Sequence, residues 1–168
     1  VEGALYVGTE TGLNRFIPEE GSFHHVWNPS DSVSGLLNPF IFTLETDKAG
    51  TIWAGTEFGL GRIIWDESSQ SAQIHTFRIN EGTSSELLRR SLVESICITA
   101  DQENILWIGT RVGLKKFICN PRDLAASSFE NIVSKDLQEL GELYIPDIYE
   151  AEDRKLWIAS FKGLHLFD

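Results

Sequence analysis

The chain has 168 residues, of which 42% are hydrophobic, and its formal net charge is -11. This length supplies one core of ordinary size and is short for two domains. The excess of carboxylates repels phosphate backbones and anionic bilayers, so the composition argues against a nucleic-acid-binding protein and a membrane-surface protein, and we interpret the charge as a source of solubility.

The limits of the chain lead us to expect a piece of a longer protein. No apolar run approaches the roughly 20 residues that span a bilayer, and no signal peptide precedes Val1. The chain contains no methionine and begins inside a repeat. We therefore expect any attachment to a membrane to be made through segments that this chain does not contain.

The first predicted element is a strand, a short turn and a second strand, and its sequence recurs three more times. The template is Leu or Ile, an aromatic residue, a small or β-branched residue, Gly or Ala, Thr or Ser, two free positions, then Gly-Leu. The four phrases are ALYVGTETGLNRF at 4–16, TIWAGTEFGLGRI at 51–63, ILWIGTRVGLKKF at 105–117 and KLWIASFKGLHLF at 155–167. A period of about 50 residues indicates a repeat architecture.

Further short β-rich runs, bounded by Gly, Asp and Asn turns, lie within and between these phrases. In chain order, the strands predicted after the first phrase cover 41–47, 51–56, 60–64, 72–79, 93–99, 105–110, 114–118, 144–151, 156–160 and 164–168. Four strands per period predict the blade of a β-propeller. Helical repeats have periods of roughly 33 to 34 and a helical periodicity that these phrases lack.

These elements predict an all-β chain in which residues 1–168 form part of a propeller, about three to four blades of four-stranded antiparallel sheets. Val1 stands just before a second strand and Asp168 ends a third strand, so we expect three, four, four and three strands in successive blades. A closed propeller has roughly four to eight blades. An open arc would expose sheet edges and apolar faces, so we expect further blades of a larger propeller, or assembly of several copies, to cover them.

Two sets of small residues have mechanical roles in this prediction. A tight turn between antiparallel strands needs a positive φ, which Gly adopts without steric cost, and we assign this role to the second Gly of each phrase. A small residue within the second strand lets neighbouring blades approach closely. That position is occupied by Gly8, Gly55, Gly109 and Ala159.

The two cysteines are predicted to remain unbridged. Cys97 lies in a first strand and Cys119 follows the third strand of the same blade. Two inter-strand spacings separate them by about 9.5 Å, more than the roughly 7 Å between Cα atoms that a disulfide allows. We interpret both as small buried residues.

No pattern of residues indicates catalysis, a metal or a cofactor, and we predict none of the three. His24 and His25 are adjacent, and neighbours in a strand point to opposite faces, so one ion could not take both. His75 and His165 belong to different repeats. No hydrolase, zinc-protease or P-loop motif appears, and a glycosidase carboxylate pair could be assembled only in three dimensions.

The phrases LYVGTETGLNRF, IWAGTEFGLGRI and LWIGTRVGLKKF resemble the propeller repeats of bacterial two-component regulators and related sensor proteins. The connector at 23–56 is similar too, because a fourth strand is followed by a polar linker, a first strand, Asp-x-x-Gly and the Trp phrase. The resemblance covers essentially the whole chain. The last repeat departs from the pattern, with Ala159-Ser160 in place of Gly-Thr.

The resemblance implies a periplasmic, ligand-sensing propeller segment of an inner-membrane signalling receptor that is itself not an enzyme. The output domain would be a histidine kinase or a diguanylate cyclase, the ligand a small saccharide, and the full receptor a homodimer. We keep two alternatives. One is a structural or dimerising propeller that transmits the signal, and the other is a propeller enzyme such as a lyase.

The propeller fold implies that the turn between the second and third strands opens on the same rim as the connector to the next blade. The free positions of this turn vary while their framework repeats, so they are the candidates for ligand contact. Carboxylate and guanidinium groups would hydrogen-bond sugar hydroxyls, and phenyl rings would stack on a pyranose. The candidates are Glu10, Glu57, Phe58, Arg111, Phe161 and Lys162, with Trp27, Asn28, Asp31 and Asn38 of the connector as weaker ones.

Overall fold

The computed structural model describes residues 4–26, 40–57, 59–79, 92–99, 104–132 and 143–167. The strands are β1 (Tyr6–Thr9), β2 (Gly12–Ile17), β3 (Ser22–His25), β4 (Ile41–Thr46), β5 (Ile52–Thr56), β6 (Gly59–Asp66), β7 (Ser71–Arg78), β8 (Val93–Ile98), β9 (Ile105–Thr110), β10 (Gly113–Ile118), β11 (Ser128–Asn131), β12 (Asp147–Glu150), β13 (Leu156–Ser160) and β14 (Gly163–Phe167). A 3-10 turn, Leu124–Ala126, precedes β11. Within these ranges no helix is long and apolar enough to cross a membrane.

The strands form four antiparallel sheets, each a meander in which consecutive strands are neighbours. The orders are β1-β2-β3, β4-β5-β6-β7, β8-β9-β10-β11 and β12-β13-β14. The predicted all-β propeller segment is therefore confirmed, with three, four, four and three strands in successive sheets. The sequence had not located the outer strand of the third blade, which is β11.

In every sheet a two-residue loop joins the two strands of the repeated phrase. Thr56 pairs with Gly59 across the loop between β5 and β6, where Gly59 has φ +147°. A Cβ at Gly59 would meet the carbonyl oxygen of Phe77 on the neighbouring strand. The equivalent glycines at positions 12, 113 and 163 have φ values of +120°, +118° and +122°, so the predicted positive φ is confirmed in all four phrases.

A hydroxyl group closes each of these loops. The Thr or Ser before the loop donates a hydrogen bond to the carbonyl oxygen of the Gly that follows it. The four bonds are Thr9 to Gly12 at 3.0 Å, Thr56 to Gly59 at 2.9 Å, Thr110 to Gly113 at 2.8 Å and Ser160 to Gly163 at 3.2 Å. This bond explains why the template fixes a hydroxyl residue before two positions that it leaves free.

The hydrophobic cores lie between successive sheets. The core between the second and third sheets is the largest of those described and is rich in aromatic rings, with Phe117 4.7 Å from Phe77 and 5.8 Å from Trp53. Smaller clusters join the first sheet to the second and the third to the fourth. Each sheet is therefore held to the next one along the chain, as the blades of a propeller are.

The small residues within the second strands make these approaches possible, as predicted. A Cβ on Gly55 would lie 2.7 Å from a methyl carbon of Val93 in the next sheet. A Cβ on Gly109 would clash with the carbonyl oxygen of Ile145, which enters the fourth sheet. Since real Cβ atoms do not approach other atoms so closely, only glycine fits at either position.

The exposure of the leucine in each Gly-Leu pair depends on whether another sheet packs over the sheet that contains it. Leu13, Leu60 and Leu114 are 0%, 2% and 3% exposed, because the next sheet packs over them, whereas Leu164 is 64% exposed. Three other apolar side chains of the fourth sheet are also exposed: Tyr149, Trp157 and Leu166. We call these four residues of the fourth sheet, Tyr149, Trp157, Leu164 and Leu166, the apolar end face.

Cys97 and Cys119 are both free and buried, as predicted. Cys97 belongs to the cluster between the third and fourth sheets, whereas Cys119 belongs to the cluster between the second and third. The two thiols therefore lie on opposite faces of one sheet, which separates them more firmly than the strand spacing does. Burial raises the pKa of the Cys97 thiol to about 11.

Candidate functional site

The first strand of the third sheet contains a β-bulge at Glu94. Val93 pairs with Thr110 and Ser95 pairs with Gly109, so Glu94 is an extra residue opposite a single step of β9. A bulge of this kind turns a side chain out of the regular alternation. Here it places the carboxylate of Glu94 beside the loop that contains Arg111, and Arg111 Nε donates to Glu94 Oε1 at 3.0 Å.

Tyr144, which precedes the fourth sheet, joins this pair. Burial raises the pKa of the Tyr144 phenol, the negative charge of Glu94 raises it further, and the Arg111 guanidinium opposes both. Arg111 is half exposed while Glu94 is mostly buried. A pair that is open to solvent on one side contributes about 1 kcal/mol or less to stability, so this arrangement is better suited to presenting polar groups than to holding the fold.

An exposed aromatic ring completes the cluster. Phe161, in the loop between β13 and β14, is 79% exposed. Its ring centroid lies 4.8 Å from that of Tyr144, with the two planes at 81°. The edge of one ring thus supports the other and leaves a face of Phe161 open to solvent. We call Glu94, Arg111, Tyr144 and Phe161 the rim cluster.

The structure brings two of the six candidate residues together, Arg111 and Phe161. Glu10 is exposed in the loop between β1 and β2, and Glu57 is half-buried in the loop between β5 and β6. Lys162 is exposed beside Phe161, and its backbone N–H donates to Ser160 Oγ at 3.1 Å. Phe58 and the four connector candidates, Trp27, Asn28, Asp31 and Asn38, lie outside the described residues.

Sequence reasoning missed Glu94 and Tyr144. Both stand at the entry to a blade, where the prediction treated the chain as a plain strand or connector. The bulge that turns Glu94 outward recurs in the second sheet, where Phe42 is the extra residue between Ile41 and Thr43. Phe42 is exposed and stacks on Phe40, with 6.1 Å between ring centroids. Each bulge stands at the second position of the first strand of its sheet, Phe42 in β4 and Glu94 in β8, and the two residues share no chemistry that would mark a bulge in the sequence.

Three of the four histidines have ordinary partners. His24 lies 2.7 Å from Glu20 Oε2 at the surface of the first sheet, and His165 shares a hydrogen bond of 2.8 Å with Ser160. His75 packs its ring against Phe77, with 4.8 Å between centroids. Among the residues that the structure describes, no group of three or more His, Cys, Asp and Glu side chains could hold a metal ion.

Comparison with known proteins agrees with the fold. Residues 35–58 match the family described as Two component regulator propeller. Among solved structures, the chain is similar to the extracellular domain of the hybrid two component system BT3049 from B. thetaiotaomicron. The two share 24% identity at a TM-score of 0.68, and the match covers 100% of this chain and 19% of that one.

A second similar structure is the extracellular domain of the hybrid two component system BT4673 from the same organism. It is 23% identical at a TM-score of 0.65, over 97% of this chain and 19% of that one. No curated protein sequence matches the chain. The chain thus spans about one fifth of the solved domains that it resembles. Its fold is a segment of a β-propeller, and its matched stretch is a repeat of the two component regulator kind.

Proposed function

We propose that this chain is a non-enzymatic segment of the extracytoplasmic sensor propeller of a membrane-bound bacterial two-component receptor. The match at 35–58 and the likeness of fold to two extracellular domains support this assignment. The remaining blades, the membrane anchor and the kinase or cyclase output would be contributed by other parts of the receptor. A periplasmic location at the inner membrane and a homodimeric receptor are parts of the same proposal.

The rim cluster is the site that we propose for the ligand, and we assign it an oligosaccharide. The observation that carries this proposal is the 79% exposed ring of Phe161 beside the Arg111–Glu94 pair. An open phenyl face stacks on the C–H face of a pyranose, and the guanidinium and carboxylate offer donors and acceptors to its hydroxyls. Tyr144 supports the ring and adds a hydroxyl of its own.

A glycan microarray probed with the 168-residue chain tests this site. If the proposal is right, the chain binds a subset of the oligosaccharides, and Phe161→Ala lowers the affinity for them at least tenfold because the stacking surface is lost. Arg111→Ala lowers it by a similar factor, since it removes a donor and releases Glu94. Affinities for the selected sugars would be measured by isothermal titration calorimetry.

Phe23→Ala is the matched control, because Phe23 is also an exposed phenylalanine but lies on the outer strand β3 of the first sheet. It should leave the affinity for every bound sugar unchanged. Binding that is lost equally in Phe23→Ala and Phe161→Ala would contradict a site at the rim cluster. So would sugar binding that survives Phe161→Ala at full strength.

A second role, association through the blades, is favoured by the apolar end face. Four large apolar side chains on one sheet form a surface of the kind that protein partners cover. The equivalent leucines of the first three sheets are each covered by a following sheet. The next blade of the same propeller is therefore the partner that we propose for this face.

A further inference from the structure

We call the interface between the first and second sheets the first seam. It contains an arginine that two residues of the second sheet contact. Arg15 on β2 lies over the ring of Trp65 at 5.1 Å from its centroid. Its guanidinium donates to Glu67 Oε1 at 2.7 Å. Trp65 and Glu67 stand two and four residues after Ile63, which ends the second phrase. A tryptophan and a carboxylate thus close this seam around one arginine.

We call the interface between the second and third sheets the second seam. It also contains an arginine, but the residues of the following sheet are different. Arg62 pairs with Trp53 across the strands, as Arg15 pairs with Tyr6, so the two arginines occupy equivalent positions. Two and four residues after the end of the third phrase, however, stand Cys119 and Pro121 instead of tryptophan and glutamate. The indole of Trp65 and the carboxylate of Glu67 therefore have no counterpart at these two positions of the second seam.

A cavity of about 230 Å³ lies in the second seam. The residues that line it include Asp47, Trp53, Arg62, Thr99 and Cys119. A water molecule occupies about 30 Å³ of liquid, so the cavity has room for a small organic molecule. Its position between two blades separates it from the rim cluster, which lies between the third and fourth sheets.

Two buried polar atoms at this cavity have no hydrogen-bond partner. They are Nε of Arg62 and Oγ1 of Thr99, which is 7% exposed. Nε of Arg15 is unbonded in the first seam too, so the second seam differs by its unbonded Thr99 hydroxyl and by the lack of a carboxylate on the guanidinium of Arg62. The guanidinium carbon of Arg62 lies 6.0 Å from the ring centroid of Trp53, and Arg62 makes no ion pair with the residues that the structure describes. Buried polar groups in folded proteins are usually bonded to protein, water or a ligand, so these two donors call for an acceptor.

We propose that the second seam binds a small organic carboxylate, which takes the place that Glu67 takes in the first seam. Its oxygens would accept from the Arg62 guanidinium and the Thr99 hydroxyl, and its short carbon chain would lie beside Trp53 and Cys119. Asp47 also lines the cavity, but its oxygens already accept hydrogen bonds from the N–H groups of Ala49 and Thr51 and from the indole of Trp53. The site is independent of the sugar site proposed above.

The indole N–H of Trp53 offers a direct readout, because it donates to Asp47 at 3.1 Å on the cavity wall. The ¹⁵N-labelled chain would be titrated with sodium acetate at constant ionic strength, and the Trp53 indole signal, assigned by its loss in Trp53→Phe, would be followed. We expect a saturable shift with a millimolar dissociation constant. Acetamide, which has the same shape without the charge, should give none.

Three variants test the residues that line the cavity. Arg62→Gln should weaken acetate binding at least tenfold, Arg62→Lys should retain part of it, and Cys119→Trp should abolish it by filling the cavity. Arg15→Gln, the matched change in the filled seam, should leave the acetate shift unaltered. Amide dispersion in the same spectra reports whether each variant is folded.

The titration of the wild-type chain tests acetate binding even if a variant does not fold. Absence of a saturable acetate shift in the folded wild-type chain would overturn the proposal and leave a seam that holds only water. Equal shifts from acetate and acetamide would overturn the role of charge. So would an acetate affinity that is the same in wild type, Arg62→Lys and Arg62→Gln. None of these results depends on whether Phe161 binds a sugar.

Discussion

Arg154 occupies a backbone conformation that suits glycine. Its φ is +70°, in the turn between β12 and β13, where the second sheet has Gly50 at +82°. The left-handed region costs a residue with a Cβ roughly 1 kcal/mol or more. Arg154→Gly should therefore stabilise the chain by about 1 kcal/mol and raise Tm by about 2–4 °C, measured by differential scanning calorimetry.

Arg154→Ala separates the backbone from the side chain. It keeps the Cβ and removes the 3.6 Å contact between Arg154 and Glu150, so it should bring no gain in Tm. Equal Tm values for the glycine and alanine variants would show that the backbone at this turn is not strained.

The Cys97 thiol gives the fold a dependence on alkaline pH. Its pKa in the folded chain is raised to about 11, mainly by burial, from about 9 in the unfolded chain. Because the folded state favours the neutral thiol, its stabilisation is complete below pH 9 and is lost as the pH rises from 9 towards 11. Urea unfolding at pH 8 and pH 10.5 measures the loss of stability between the two pH values, and we expect this loss to be smaller in Cys97→Ala than in wild type. An equal loss in both would assign the alkaline transition to other groups.

At the scale of the elements, the close approach of one sheet to the next depends on Gly109. A methyl group there would meet the carbonyl oxygen of Ile145 and the hydroxyl of Ser95. Both partners are fixed, one as backbone and one within β8. Gly109→Ala should therefore destabilise the chain by about 3 kcal/mol, as overpacking of a buried contact does, measured by urea unfolding.

Ala159→Gly is the comparison at the same repeat position of the fourth sheet. There the loss of a methyl group should change the free energy of unfolding by less than about 1 kcal/mol. A mild effect of Gly109→Ala, similar in size to that of Ala159→Gly, would mean that the third and fourth sheets can separate without loss of stability.

The elements that could be predicted are those whose geometry depends on neighbouring residues along the chain. A Thr followed by two free residues and Gly-Leu specifies a hairpin locally, and all four hairpins lie where the phrases predicted them. The bulge at Glu94 depends on pairing with β9, and Tyr144 reaches the rim only because the fourth sheet packs on the third. The rim cluster was thus half predicted: its loop residues follow from the repeat, while its other half follows from contacts between sheets.

At the scale of the whole molecule, the arc of four sheets ends in the apolar end face. In the first three sheets the position equivalent to Leu166 is occupied by the polar residues Arg15, Arg62 and Lys116. We expect the 168-residue chain to associate through the end face, and to do so more strongly as salt screens its charge of -11. Leu166→Lys should weaken this association, seen in sedimentation velocity as a smaller rise of the sedimentation coefficient with concentration.

Ala126→Lys adds the same charge in the exposed 3-10 turn and should leave the association of the chain as it is in wild type. If both lysine variants behave alike, charge and not the end face governs association. If neither wild type nor variant associates up to millimolar concentration, the face is stable in water and needs no further blade.

The hydroxyl-to-glycine bond that closes each hairpin has a consequence for how freely this surface can change. Thr56 closes its loop on the carbonyl of Gly59 at 2.9 Å, so the side chains of the two intervening residues are not needed for closure. Substitutions at those two positions can therefore occur in one blade at a time while the backbone of the loop keeps its conformation. A lineage of such proteins can change the side chains that these loops present through single substitutions, each of which leaves the hairpin folded.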